Sequence, residues 1–389
     1  MDSLGCTGDT ANNDESAVEI IRRGLRKAAE NERKHHRNRE FNKLRRTALG
    51  VQLNDNCKGQ CDWSGKFLVQ KGKDLKRKTL SVEDYKQLEV ALLQGEDNIN
   101  GFMSIEQILS ALVRDLSSSN PEIQLLALHC CCNIALGGRK HSTALCKNIG
   151  PYLVTQLESR SNPLLEASAW TIGNLCNSDS KKVLEVLHNL GCLNRLCSLL
   201  KSCHTTIISS IAYALKFYLF GNSSRGVARE SDFIQVTQII VERLPNENHM
   251  SSDILWLLAL LSSTFACRNH LSTLVIPILS YLGTIVKREE GEDSESDANE
   301  VIAIVRLLAN LASEGSGVVA DSILTSNIGS GGCGLLNVLN KLLSHPHVSV
   351  RKETLWLIGN LYNHPSLRVS ETLKNYLESL DFSLAVESI

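Results

Sequence analysis

From Ser81 almost to the C-terminus, apolar residues return every three or four positions, and no convincing stretch alternates with the period of two that a strand requires. The pattern predicts an all-α protein. Its apolar phrases also repeat. When one position is marked in each, "LHCCCNIALG" aligns at Asn133, "AWTIGNLCN" at Asn174, "AYALKFYLFG" at Phe217, "LWLLALLSS" at Leu260, "VRLLANLASEG" at Asn310 and "LWLIGNLYN" at Asn360. The steps between marks are 41, 43, 43, 50 and 50 residues. A helical period just above forty is the signature of a stacked solenoid, in which each unit buries its apolar faces against its neighbours.

A second shared phrase lies upstream of the marked helix, as in "IGPYLVTQLESRSNPLLEAS", "LGCLNRLCSLLKSCHTTIIS" and "CGLLNVLNKLLSHPHVSVRK". Each runs from Gly through a Leu-rich amphipathic helix and a short polar turn to the marked helix. The two long steps coincide with polar or Gly-rich stretches, 287–300 and 313–334, which read as loops inserted between packed helices.

The chain ahead of this array divides by composition. Residues 1–14 are polar with no periodic apolar face and read as a disordered tail. Residues 15–47 contain no Pro, and the strip Arg22–Arg46 carries 11 Lys/Arg against 3 Asp/Glu, which predicts a basic helix waiting for an acidic partner. Residues 48–80 are rich in turn formers and read as a linker with a second basic cluster at Lys71–Lys78. The array itself is assigned to 81–389. Net charge near −1 therefore hides an asymmetry: residues 1–80 hold 18 Lys/Arg against 11 Asp/Glu, the remainder 23 against 31. The two parts attract.

Composition narrows the function. Thirteen Cys are scattered, three of them adjacent at Cys130–Cys132, with no signal peptide ahead of them, which favours a reducing compartment. Cys57 and Cys61 lack a second Cys/His pair nearby, so no metal is expected, and no cofactor either. There is no phosphate-cradling Gly motif, His-Glu-x-x-His or nucleophile elbow, so a binding protein is expected rather than an enzyme. Two apolar stretches, Ile254–Cys267 and Leu271–Val286, span fourteen and sixteen residues. Both fall short of the roughly 20 needed to cross a bilayer.

The marked helix carries the candidate chemistry. Trp170 precedes Asn174 by four residues, as Trp356 precedes Asn360, so each pair shares a helix face one turn apart. An Asn carboxamide can both donate to and accept from a peptide backbone, while an indole offers a flat wall and a cation–π surface for a Lys or Arg. This Trp-x-x-x-Asn phrase, on the third helix of a forty-residue unit, resembles importin-α. The resemblance implies a right-handed α-solenoid of about six armadillo repeats whose third helices line a concave groove for an extended nuclear-localisation peptide. Adjacent helices lie roughly 8–10 Å apart and an extended chain advances about 3.3–3.6 Å per residue, so one rung serves about every third peptide residue.

Rung by rung the two positions read His129/Asn133, Trp170/Asn174, Tyr213/Phe217, Trp256/Leu260, Arg306/Asn310 and Trp356/Asn360. The implied groove residues are Asn133, Trp170, Asn174, Trp256, Asn310, Trp356 and Asn360, with His129 as a satisfied groove or core histidine and Asp179 at the rim. Phe217 and Leu260 interrupt the clamp, and Arg306 would repel a basic ligand. Each rung also has a plain structural reading, with Trp packing a neighbouring helix and Asn bonding a loop carbonyl.

The basic strip adds a second implied site. Arg33, Lys34, Arg37 and Arg39, then Lys43, Arg45 and Arg46, resemble the importin-α segment that binds an importin-β-type carrier, and "KLRR" or the later "KRK" at Lys76–Lys78 could fold back into the groove as a plug. The partners implied are that carrier and basic-peptide cargo proteins, not nucleic acid, with residence in cytoplasm and nucleus. The eroded ladder is similar to a divergent importin-α-like branch named for transmembrane and coiled-coil segments. An armadillo scaffold for another protein ligand, or a membrane-associated protein, are the alternatives.

Overall fold

The computed structural model of the chain describes residues 65–386 apart from 179, 203–204, 224–225, 245–249, 287–294 and 326–334. All of them belong to the compact unit that runs from Arg46 to Ile389. The tail 1–14 and the basic strip 15–47, with Arg33, Lys34, Arg37, Arg39, Lys43, Arg45 and Arg46, lie outside the described residues, as do Cys57, Cys61 and Asp179.

The chain enters the described region in helix α1 (Gly65–Arg77), followed by α2 (Val82–Leu93), α3 (Glu96–Met103), α4 (Ile108–Leu116) and α5 (Pro121–Ile134). Next come α6 (Arg139–Gln156), α7 (Asn162–Cys176), α8 (Lys181–Asn189), α9 (Cys192–Ser202), α10 (Thr205–Ser223), α11 (Glu230–Arg243) and α12 (Ser252–Leu261). The array closes with α13 (Phe265–Leu271), α14 (Val275–Val286), α15 (Glu295–Leu311), α16 (Val318–Thr325), α17 (Leu335–Leu343), α18 (Val348–Tyr362), α19 (Leu367–Leu377) and α20 (Ser383–Val386). Among the described residues there is no strand.

One row of helices forms the spine. α2, α5, α7, α10, α12, α15 and α18 pack successively against one another, each the last helix of its unit. The sequence marks six of these; α2 precedes them. Covered on several sides, spine helices are apolar almost all round. In α12 every residue from Asp253 to Ala259 is buried, as is Leu261. This is the expected consequence of being sandwiched between neighbours. Starts are set locally: Asn120 caps α5, its side chain accepting from the amides of Glu122 and Ile123, with Pro121 at a first-turn position where no amide is missed. Between α8 and α9 the chain reverses through Gly191 at φ 72°, a left-handed conformation that suits glycine.

The structure corrects the expected linker 48–80. Its last third is α1, with Leu68, Gly72 and Leu75 buried at helical spacing. The basic residues around them hid this stripe, and Gly72 lets α1 close on Phe102 and Ile105. Lys76 and Arg77 end α1, so "KRK" is built into the array and is no free plug. The presumed insertion 313–334 likewise contains α16, and 287–300 contains the start of α15. The apolar stretches also divide differently. α12 stops at Leu261, and Phe265–Val286 is a continuous helical run of 22 residues, with a 3-10 turn at Ser272–Leu274. By length and composition alone it could cross a membrane. It also carries Arg268, Asn269 and His270, and 44% of its most apolar window is buried in the solenoid.

A carboxylate ties α4 to the turn after α1 and to α2, and its partner Arg114 donates from Nη2 to the Leu75 carbonyl of α1 at 3.0 Å. Asp115 on α4 accepts from Thr79 Oγ1 at 2.8 Å, Tyr85 Oη at 2.6 Å and Arg114 Nε at 2.7 Å. Burial opposes its ionisation, but these donors outweigh it and hold the carboxyl below its ordinary range. Two outcomes are expected. Asp115→Ala costs about 1–3 kcal/mol, because the Tyr85 hydroxyl is left buried without its acceptor; chemical denaturation measures it. Because the folded-state value is depressed, the contribution is complete above the ordinary Asp value near 3.9 and is lost as pH falls through the folded value. In an acid titration followed by hydrogen exchange, amides of α1 and α2 therefore lose protection early in wild type, and this early step is absent in Asp115→Ala.

Candidate peptide-binding face

Wherever the marked residue is Asn, the spine helix presents it to the helix before. Asn133 Nδ2 donates to the carbonyl of Glu89 at 3.1 Å, and Asn174 Nδ2 to that of Cys132 at 3.3 Å. Further along, Asn310 Nδ2 donates to the Ala259 carbonyl at 3.3 Å and to Ser262 Oγ at 2.9 Å, and Asn360 Nδ2 to the Ala309 carbonyl at 2.7 Å. The register is constant: Cys132, Ala259 and Ala309 each immediately precede the mark of their own helix. By the same rule the mark of α2 is Val90. A helical carbonyl keeps a second lone pair after its intrahelical bond, which is what the carboxamide uses.

These bonds decide which candidates a ligand can reach. Asn133 and Asn174 are 0% exposed, and the Asn174 carboxamide is further held by the Tyr213 hydroxyl, 2.6 Å from Oδ1. Both are corrected from groove contacts to inter-helix locks. Trp256, 2% exposed, is corrected in the same way to a packed indole. His129 lies half-buried with Nδ1 3.4 Å from the Glu89 carboxylate. Trp170, Asn310, Trp356 and Asn360 remain half-exposed. Trp170 is steadied by Nε1 donating to Ser210 Oγ at 3.0 Å.

Where the Asn is missing, other polar groups bridge the spine. α10 and α12, which carry Phe217 and Leu260 at the mark, pack together; between them Lys216 Nζ lies 3.0 Å from Asp253 Oδ1, and Ser209 donates to the other carboxylate oxygen at 3.0 Å. Lys216 is 0% exposed and faces the rings of Tyr213 and Phe217, 5.0 and 4.7 Å from their centroids. Burying an ammonium is costly unless it is paired, and here a carboxylate and two aromatic faces surround it. Arg306 does not stand free to repel a ligand either. Its Nη2 and Nε lie 2.6 and 3.2 Å from Glu353 Oε1, and its guanidinium lies 4.9 Å from the Trp256 ring.

Lys216, Asp253, Glu353 and Tyr213 were not singled out as site residues from sequence. A signal existed: Lys216 is the lone charge in "AYALKFYLFG", and Asp253 and Glu353 both stand seven residues before a mark. The eight described cysteines are all buried thiols. Burial pushes Cys146 up to about 12 and Cys131 and Cys192 higher still, so these groups stay protonated and pack as small apolar side chains. No cluster of three or more potential metal ligands occurs among the described residues.

No protein-family model matches the chain. Importin subunit alpha-9 of Arabidopsis thaliana is 25% identical over 312 residues, 78% of this chain and 55% of the relative, so the chain spans about half that relative's length. A crystal structure of an engineered protein superposes with a TM-score of 0.50 at 19% identity, over 82% of this chain and 87% of the other. A computationally designed armadillo repeat protein for modular peptide recognition has a TM-score of 0.41 at 15% identity, over 75% and 99%. The fold is an armadillo-repeat solenoid with likeness to importin-α.

The lock has a measurable cost of removal. Asn174→Ala strands the Tyr213 hydroxyl and loses the bond to Cys132, and is expected to destabilise by about 1–3 kcal/mol in chemical denaturation. Gly173→Ala tests the same junction sterically: its Cβ would lie 2.7 Å from Tyr213 Cδ1 in a filled core, for a loss of about 1–3 kcal/mol.

Proposed function

We propose that this armadillo array is an importin-α-like adaptor that takes extended, Lys/Arg-rich segments of cargo proteins on the exposed part of its spine. The observation that carries the reading is the pair on α18. Trp356 and Asn360 stand half-exposed one turn apart, and Asn360 is already oriented by its bond to Ala309. A fixed carboxamide meets a peptide backbone without first losing rotamer freedom, and the neighbouring indole offers a face to a cationic side chain. Half-exposed Asn310 on α15 supplies the next rung. The charge balance favours a basic ligand, since residues 81–389 carry 23 Lys/Arg against 31 Asp/Glu. The likeness to importin subunit alpha-9, which spans 78% of this chain, supports the same reading.

Binding on this reading is strongest at the two ends of the spine, around Trp170 and around Trp356, because the middle is closed by Tyr213, Phe217, Trp256 and Arg306. A rim role for Asp179 and a supporting one for His129 belong to the Trp170 end. Arg33, Lys34, Arg37, Arg39, Lys43, Arg45 and Arg46 are proposed as the contact for an importin-β-type carrier, with "KLRR" as the segment that competes with cargo. Passage between cytoplasm and nucleus follows from these roles. A second reading, a scaffold for a different protein ligand, is favoured by the burial of Asn133 and Asn174, which leaves fewer backbone clamps than a long basic peptide would use.

Fluorescence polarisation with a labelled Lys-rich peptide separates the readings. Trp356→Ala in the full chain is expected to weaken binding about tenfold or more, as loss of an aromatic anchor does, whereas Asn133→Ala lowers stability and leaves affinity unchanged. Absence of any preference for the Lys-rich peptide over a neutral one selects the scaffold reading. Reversing Arg33, Lys34, Arg37 and Arg39 to Glu is expected to abolish capture of an importin-β-type carrier.

A further inference from the structure

Arg306 is held from two directions by residues of other repeats. Trp256 comes from α12, one repeat earlier, and presents its ring 4.9 Å from the guanidinium. Glu353 comes from α18, one repeat later, and places Oε1 2.6 Å from Nη2 and 3.2 Å from Nε. Arg306 itself is only 7% exposed. An aromatic face on one side and a carboxylate on another is the chemistry that recognises a guanidinium brought by a ligand. Lys216, two repeats earlier, meets the same chemistry in part: Asp253 is the carboxylate from the next repeat, but the rings, Tyr213 and Phe217, stand on its own helix.

We infer that Trp256 and Glu353 form an arginine-binding site that the chain fills with its own Arg306, so that this residue acts as a resident ligand and keeps external arginine side chains out of the centre of the spine. The inference goes beyond peptide capture at the two ends and does not require it. Its physical basis is that neither wall of the site belongs to the helix that supplies the cation. Trp256 and Glu353 are positioned by α12 and α18, which Asn310 and Asn360 lock to α15 through contacts that do not involve the Arg306 side chain. Removing that side chain therefore leaves a walled cavity of guanidinium shape rather than a collapsed junction.

Chemical rescue tests this directly in the full chain. Arg306→Ala is expected to melt below wild type and to recover a few degrees in methylguanidinium, with a response that saturates in the millimolar range, as mass action at one weak site requires. Methylammonium at equal ionic strength, which lacks the planar fork, is expected to give a smaller shift. Wild type, its site already filled, and Arg306→Ala/Glu353→Gln, its carboxylate neutralised, are expected not to respond. Should Arg306→Ala not fold alone, recovery of folded soluble protein is scored with and without methylguanidinium during refolding. If methylguanidinium does no more than methylammonium in either assay, or raises wild type equally, Arg306 is a structural ion pair only and the inference falls.

Discussion

A solenoid of this kind depends on one bond repeated along its spine: a carboxamide donating into a carbonyl of the previous helix. Apolar packing brings the spine helices together but fixes their sliding and rotation weakly, since one buried Leu fits many hollows. A buried donor has few places to go. Asn133 and Asn174 are enclosed and must find an acceptor, Asn310 and Asn360 are partly so, and the helix ahead offers each one in the same register. The cost of leaving that group unpaired converts a loose stack into a specified one.

The same constraint accounts for the middle of the array. Phe217 and Leu260 lack the carboxamide, yet their junction is no less polar, because Lys216, Asp253 and Ser209 bridge it. What looks in the sequence like erosion of a binding ladder is exchange of one type of inter-helix bridge for another. The exchange has a cost for recognition: aromatic faces and carboxylates that a basic ligand would use are engaged by the chain's own cations. On the proposed function, peptide capture is thereby confined to places where spine side chains still meet solvent, near Trp170 and near Trp356.

The solenoid, its period and six of its seven spine helices were legible because an apolar pattern of one period, repeated six times, is hard to mistake. α1 was not, since its three buried positions are diluted by seven charged or polar neighbours and interrupted by Gly72. The site was legible only in part. Trp-x-x-x-Asn spacing states that two side chains share a helix face, and it says nothing about whether that face meets solvent or the next repeat. For Trp356 and Asn360 the answer is partly solvent; for Asn174 it is the interior. The deciding partners, Cys132 and Tyr213, lie 42 and 39 residues away, beyond any local pattern.

Each lock has a main-chain acceptor, and every residue type carries one, although Asn310 also donates to the Ser262 hydroxyl at 2.9 Å. A helix bearing the Asn can thus dock on any predecessor without a matching side chain there, whereas the Lys216–Asp253 and Arg306–Glu353 bridges demand a particular pair. A junction of the first kind constrains the register of two backbones; one of the second kind also fixes which side chain the neighbour must carry. In this chain the α2–α5 and α5–α7 junctions carry an Asn lock with neither of those ion pairs, whereas the α15–α18 junction carries both kinds of tie.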